Sequence, residues 1–330
     1  MSVFSWLLLY GLREAILLSL VLPLLLGLIT TTKGDNPTSI VLPFNGSDPG
    51  YIIAESTSGL ANRLRVLAAY MYVAEYKYDD AHLVFIWDKN SACPGHFLTV
   101  FEPIPHLIFA TNASRYVLDK HAKVVYENSY AVFDWIMRMN GVPRSRFGLP
   151  SWSQIHYMMF SRFHPTREVM SKALSFVERH HMCNNSAMHL RTTDLDSIMP
   201  SKKKINLQAY FKFVESKPPD EKVFLLTDDP RTQRLFLGKY GAKKILVFRD
   251  IMEQSQQLPL FLTDVRRGSL LNASMPLPTD HRHTTLEHAL IDVIIAAHSK
   301  EFKPSPFSSL SDLVNTFESI GKRDRGWCSG

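Results

Sequence analysis

The chain has 330 residues, 45% of them hydrophobic, enough for one large or two medium domains. Its net charge of +6 is mildly basic, and apart from Lys202-Lys203-Lys204 the cations are scattered, with no basic stripe interleaved with aromatics. Nucleic-acid binding is therefore not expected, and the charge supports only a general attraction to anionic ligands.

The first strong signal is at the N-terminus. Residues 15–30 read AILLSLVLPLLLGLIT, and the apolar stretch before them is broken only by Arg13 and Glu14. A spanning helix needs about 20 apolar residues, with about 17 as the lower bound, so both a short anchor and a signal peptide fit. A signal peptide wants a basic n-region, but the first basic residue here is Arg13. The reading is an uncleaved anchor, with residues 1–32 as cytoplasmic tail and membrane segment. Residues 33–50, rich in Gly, Asn, Pro, Ser and Thr, read as a stem. Four N-x-[ST] sequons follow, at Asn45, Asn112, Asn184 and Asn272. With the anchor they place the rest of the chain on the lumenal side of a Golgi or endoplasmic reticulum membrane, as a single-pass type II protein. Three cysteines, Cys93, Cys183 and Cys328, allow one bridge and one free thiol and have no zinc-site spacing.

From Tyr51 the pattern alternates. Strands are expected over 51–54, 82–87, 107–110 and 124–126, with a helix over 61–76 after the loop Ser56-Thr57-Ser58-Gly59. Residues 141–150, with two prolines and two glycines, read as a connection. Helices over 153–163 and 166–181 come next. Strands over 186–190, 223–226 and 244–248 then alternate with helices over 207–214 and 231–240, and helices over 284–297 and 309–317 close the chain. Alternating strand and helix implies parallel sheets with helices on both faces. The expected fold is α/β, with two Rossmann-like lobes facing across a cleft: an N-terminal lobe over 51–150 and a C-terminal lobe over 151–330.

Three segments of the second series carry chemistry. His189-Leu190-Arg191-Thr192-Thr193-Asp194 and Thr227-Asp228-Asp229-Pro230 each follow a strand candidate. Phe307-Ser308-Ser309 precedes a helix. Open α/β sheets bind ligands beyond the carboxyl ends of their strands. An arginine fork matches phosphate oxygens bidentately, and serine hydroxyls and amides at a helix start cradle phosphate. The residue types suit a nucleoside diphosphate.

These motifs resemble the fucosyltransferase superfamily of two-lobed (GT-B) glycosyltransferases, which includes nodulation, core alpha-1,6 and protein O-fucosyltransferases. The first segment stands where that family has His-x-Arg-Arg-x-Asp. Leu226-Thr227-Asp228-Asp229-Pro230 stands for its Ala-Thr-Asp-Asp-Pro. Leu290-Ile291-Asp292 leading to Phe307-Ser308-Ser309 matches its third motif. Gly59-Leu60-Ala61-Asn62-Arg63-Leu64 looks like its Gly-x-x-Asn loop. The resemblance spans residues 51–320 and implies an inverting, metal-independent transfer of fucose from GDP-fucose to a glycan or glycoprotein acceptor, with no cofactor beyond the donor. It implies Arg191 on the β-phosphate and His189 and Asp292 at the guanine or ribose. Asp228 and Asp229 would line the nucleotide pocket, with Asp194 in the same motif, and Phe307, Ser308 and Ser309 would lie at the diphosphate. Gly59, Asn62 and Arg63 would reach in from the first lobe. Thr192 departs from the pattern, since the family has a second arginine there.

Glu55, just before the glycine loop, and Asp196, just after the first motif, are the candidates for the base that deprotonates the acceptor hydroxyl. Several residues also have plain structural readings. Arg191 could pair with a buried acid, Asp228-Asp229-Pro230 and Ser308 could only cap helices, and Lys202-Lys203-Lys204 and His281-Arg282-His283 could be solvated loops. Two other functions fit less well. A lumenal sulfotransferase would need a cation in the 56–62 loop, which has none. A non-catalytic glycan-binding descendant is suggested by Thr192.

Overall fold

The computed structural model describes residues 51–78, 81–90, 92–110, 122–126, 133–144, 150–191, 206–249, 284–324 and 327–328. Segment 15–30, the stem and three of the sequons lie outside them. Among the described residues no helix is long and apolar enough to cross a membrane. Asn184, the sequon asparagine inside them, is exposed.

Two four-stranded parallel sheets form the frame. The first comprises β1 (Tyr51–Glu55), β2 (His82–Ile86), β3 (Leu107–Ala110) and β4 (Ala122–Tyr126), in the order β3-β2-β1-β4. The second comprises β5 (Ser186–His189), β6 (Val223–Leu226), β7 (Ile245–Leu246) and β8 (Glu301–Lys303), in the order β7-β6-β5-β8. Parallel sheets are buried on both faces, so their strands are apolar throughout. β1 and β6 are short apolar runs with nearly every residue buried, and β5 is buried throughout although Ser186 and His189 are polar.

The helices are α1 (Leu60–Lys77), α2 (Phe133–Met139), α3 (Trp152–Phe160), α4 (Arg167–Arg179), α5 (Leu207–Glu215), α6 (Pro230–Tyr240), α7 (Leu286–Ala297) and α8 (Ser309–Asp324). Their starts follow local chemistry. Ser151 and Gln154 form a reciprocal capping box at α3, and Thr166, Asn206, Asp229 and Thr285 cap the helices that follow them. α1 differs: its cap is Gly59, extended and without a side-chain hydrogen bond.

Side-chain alternation divides the second sheet. Ala187, Phe224, Leu226 and Leu246 join the main core with α4 and α7, whereas Met188, Val223, Leu225 and Ile245 pack with α5 and α6. In the first sheet, Ile52, Ala54, Leu83 and Phe85 face α1 in that same main core. The core is thus continuous from Ile52 to Ile320. α2 and α3 pack on α1, and α8, the last helix, returns to α1 and α3 while also packing on α7. Arg65 of α1 pairs with Asp312 of α8 where these two helices meet.

The expected elements recur with small shifts at their ends, and three differences have physical causes. β8 was not expected, because two of its three residues are charged and no apolar run marks it; it pairs as an edge strand beside β5. α2 also went unmarked, since it is one short amphipathic stretch, FDWIMRM. The strand expected over 244–248 shrinks to two paired residues, Ile245 and Leu246. Cys183, in the turn before β5, is bonded to Cys328, just beyond α8, and Cys93 is buried and not part of a disulfide.

Candidate functional site

The carboxyl ends of both sheets open onto one pocket with a cavity volume of about 150 Å³. The first sheet contributes Gly59, Leu60, Ala61 and Asn62 at the start of α1, and Ala92, Cys93 and Pro94 from the loop after β2. The second contributes His189 at the end of β5 and Arg191 beyond it, and Leu226 at the end of β6 with Thr227 and Asp228 beyond it. Thr285, Leu286, Ala289 and Asp292 of the α7 region and Ser308, Ser309 and Leu310 at the start of α8 complete it.

The polar groups of the wall differ in charge state. His189 is 4% exposed. Burial, and then the Arg191 cation, push its pKa down to about 3, so the imidazole is neutral. Asp292 is the opposite case: enclosure raises its pKa to about 8, against the pull of Arg249. Arg249 is itself anchored, its Nη1 lying 2.8 Å from His288 Nδ1, which also meets the Thr285 hydroxyl at 2.8 Å. The Ser308 hydroxyl is buried without a protein partner. It therefore does not cap α8, and it lies in the pocket wall as an unfilled polar group. The amino-terminal ends of α1 and α8 both meet the pocket, and an N-terminus carries about half a positive charge. Arginine, two helix starts and an open hydroxyl make a seat for an anion with several oxygens.

Of the residues singled out from sequence, the fold brings Gly59, Asn62, His189, Arg191, Asp228, Asp292, Ser308 and Ser309 to this pocket. It uses four others differently. Arg63 was expected to reach into the cleft, but it is fully buried behind the wall. Its Nε donates to the Ser58 carbonyl at 2.6 Å and its Nη1 to the Asp88 carbonyl at 2.7 Å, with the guanidinium 5.0 Å from the Trp87 ring centroid. Burial lowers its pKa, and Cys93, Asp88 and Glu55 oppose that shift. Its position three residues into α1 turns it onto the core face, where it braces the 56–59 loop. Asp229 was expected in the pocket wall, but it caps α6. Its Oδ1 accepts from Arg231 N–H at 3.0 Å and its Oδ2 from the Thr232 hydroxyl at 3.0 Å, and Pro230 takes the first helical position.

Phe307 was expected at the diphosphate, yet its ring is 59% exposed and is not part of the pocket wall. Its backbone has φ 56°, a strained left-handed value for a bulky residue. That turn leads directly into Ser308 and Ser309. Glu55 ends β1 at the same sheet edge without lining the pocket. Asp194, Asp196 and Thr192 lie outside the described residues, as do Lys202-Lys203-Lys204 and His281-Arg282-His283. Among the described residues no cluster of three or more His, Cys, Asp or Glu is arranged to hold a metal ion.

The sequence reading missed Ala92–Pro94, Thr285 and Leu286 as wall residues, and Ser305 and Ser311 as supports. Thr285 carried a signal, a hydroxyl preceding an apolar helical run. The others carried none, since only the folding of separate loops brings them to the site.

No family model matches this chain, and no curated protein matches it. Among solved structures it is similar to NodZ alpha-1,6-fucosyltransferase co-crystallized with GDP, at 14% identity over 81% of this chain and 91% of that one, with a TM-score of 0.47. It is similar also to fucosyltransferase NodZ from Bradyrhizobium, at 14% identity over 81% and 92% with a TM-score of 0.47. The same figures hold for NodZ alpha-1,6-fucosyltransferase soaked with GDP-fucose.

Proposed function

We propose that this protein is an inverting glycosyltransferase that moves fucose from GDP-fucose to a hydroxyl of a glycan or glycoprotein. Residues 151–330 would form the donor side and 51–150 the acceptor side. The observation that carries the reading is the convergence of Arg191, the open Ser308 hydroxyl and the half-buried Asp292 carboxyl on one pocket. Arg191, Ser308 and the helix starts would hold the diphosphate, and Asp292 would accept the N–H groups of guanine. In the reaction the acceptor oxygen attacks the anomeric carbon from the face opposite the diphosphate. One C–O bond forms as the C–O bond to phosphate breaks, GDP leaves, and the acceptor proton passes to a carboxylate, with Glu55 and Asp196 as the candidates. Negative charge grows on the β-phosphate, where Arg191 and the helix amides supply fixed positive charge and no divalent ion is required. A non-catalytic nucleotide- or glycan-binding protein is the second reading, favoured by Thr192 in place of the family's arginine.

Calorimetry on the full-length protein tests the donor. GDP is expected to bind more tightly than UDP or CMP, with or without EDTA. The pH dependence follows from Asp292. Its pKa in the folded chain lies above its unfolded value, so the stability it contributes is full below the ordinary carboxylate range and is lost as pH rises toward 8. Guanine that binds the ionised carboxylate must displace that proton. GDP affinity should therefore rise between pH 6 and pH 8 by up to about tenfold per unit and then level off, whereas UDP, with the same diphosphate, should lack this component. Equal affinity for GDP and UDP, or strict dependence on Mn²⁺, would overturn the reading.

We propose that the protein lies in the secretory pathway, anchored by residues 15–30 with residues from about 33 onward lumenal. Support comes from the apolar segment, the sequons and the Cys183–Cys328 bridge, since disulfides persist in oxidising compartments. Expression in a eukaryotic cell should show a glycosidase-sensitive mobility shift and resistance to carbonate extraction. No shift, together with release by carbonate, would refute it.

A further inference from the structure

Three hydrogen bonds tie the end of β5 to the start of α8. Arg191 N–H donates to Ser305 Oγ at 3.3 Å, Ser305 N–H donates to Ser311 Oγ at 2.9 Å, and Ser311 Oγ lies 2.8 Å from His189 Nδ1. Ser305, Ser311 and His189 are all buried. The direction of the last bond follows from the second. A hydroxyl has one proton and two lone pairs. Ser311 Oγ already accepts from an amide, which can only donate. Were Nδ1 also to donate to it, the serine proton would be buried facing two donors, and a buried donor without an acceptor is costly. Giving that proton to Nδ1 satisfies every group. A histidine that accepts at Nδ1 is neutral and carries its one proton on Nε2.

We infer that Ser311 is a positioning residue that fixes His189 as the Nε2–H tautomer, so that the pocket offers its ligand a neutral, directed donor at this point. Burial of the ring and the neighbouring Arg191 act in the same sense. A neutral N–H suits an uncharged acceptor such as a ribose hydroxyl oxygen or a base carbonyl or ring nitrogen. The phosphates are left to Arg191 and Ser308. The same three bonds set Arg191 and Ser308 in one register, because Ser305 and Ser311 flank Ser308 on both sides. The assignment of the tautomer stands on the hydrogen bonds alone, whereas the assignment of the ligand atom rests on the nucleotide reading above.

The test is nitrogen NMR of the full-length protein carrying ¹⁵N-histidine, with the His189 resonances identified by their absence from His189→Gln. At neutral pH, Nδ1 is expected to be unprotonated and Nε2 protonated. Ser311→Ala should lose that bias and bind GDP about five- to tenfold more weakly, whereas Ser311→Thr, which keeps the hydroxyl, should hold the tautomer and most of the affinity. A wild-type His189 protonated on Nδ1, or a Ser311→Ala protein with the tautomer unchanged, would overturn the inference. A lost tautomer with unchanged GDP affinity would overturn its ligand half. If the wild type shows the expected tautomer but binds no GDP, the nucleotide reading fails and the tautomer assignment stands.

Discussion

Arg191→Ala is expected to abolish fucosyl transfer while leaving the fold intact. The arginine stands just beyond β5, its amide held by Ser305, and it lines the same pocket as Ser308. Charge on the departing β-phosphate is largest in the transition state, so a guanidinium there stabilises the transition state more than the bound donor. Its loss should cost about 3–4 kcal/mol, on the order of a hundred- to thousandfold in rate. Arg191→Lys should rescue little, because an ammonium is a point charge and cannot hold two oxygens in the planar fork. The measurement is kcat/KM with GDP-fucose alongside a thermal melt. Near wild-type transfer by Arg191→Ala would remove the arginine from the site. Thr192→Arg is the informative companion. If Thr192 only drops a secondary phosphate contact, restoring arginine keeps or raises activity with GDP-fucose; if it marks a different donor, fucose use rises as the native activity falls.

Loss of the Cys183–Cys328 bridge should be the largest single blow to stability. The two cysteines are 145 residues apart in sequence. Cross-linking a loop of that length restricts the unfolded chain by about 5 kcal/mol in the chain-entropy account, and removing a native bridge typically costs about 2–5. The local packing adds to the effect. Trp327 stacks on His298 with ring centroids 3.8 Å apart, and it lies so close over Gly321 that a Cβ there would sit 1.9 Å from the indole. The bridge thus holds the tail that covers the end of α8, the helix whose first turn carries Ser309 and Ser311. Cys183→Ser, Cys328→Ser and the double variant should each lower Tm by roughly 5–15 °C, and the three should agree, since either single change breaks the same bond. Melting points within a degree or two of wild type would show that the cross-link does not constrain the native fold.

Much of the architecture was legible because buried parallel strands leave a plain mark. Runs such as YIIA, SAMHL and VFLL stand apart from the amphipathic helices between them, and the order of these runs implied two parallel sheets. The positions just past β5 and β6 were legible for the same reason: topology places whatever follows a parallel strand at the ligand-binding edge. This places Arg191 and Asp228, with His189 at the end of β5, at the pocket. Ser308 was legible as a hydroxyl at a helix start, Asp292 came through a resemblance to known motifs, and the fold brings both to the same wall.

What the sequence could not decide is which way a side chain faces at that edge, and which distant loop meets it. Asn62 and Arg63 are adjacent, yet one lies in the pocket wall and the other is buried behind it, because successive helical residues diverge by about 100°. Asp228 and Asp229 divide in the same manner, one into the pocket wall and one onto the amides of α6. Ser311 and His189 are 122 residues apart, and only the docking of α8 against β5 lets a hydroxyl on one select the tautomer of the other. The sequence by itself determined most of the strands, that they run parallel and the residues at their carboxyl ends, since burial and chain direction are written in local patterns. Tertiary structure alone decided which of those residues meet a ligand, which brace the wall and what charge each carries, since these depend on neighbours supplied by distant parts of the chain.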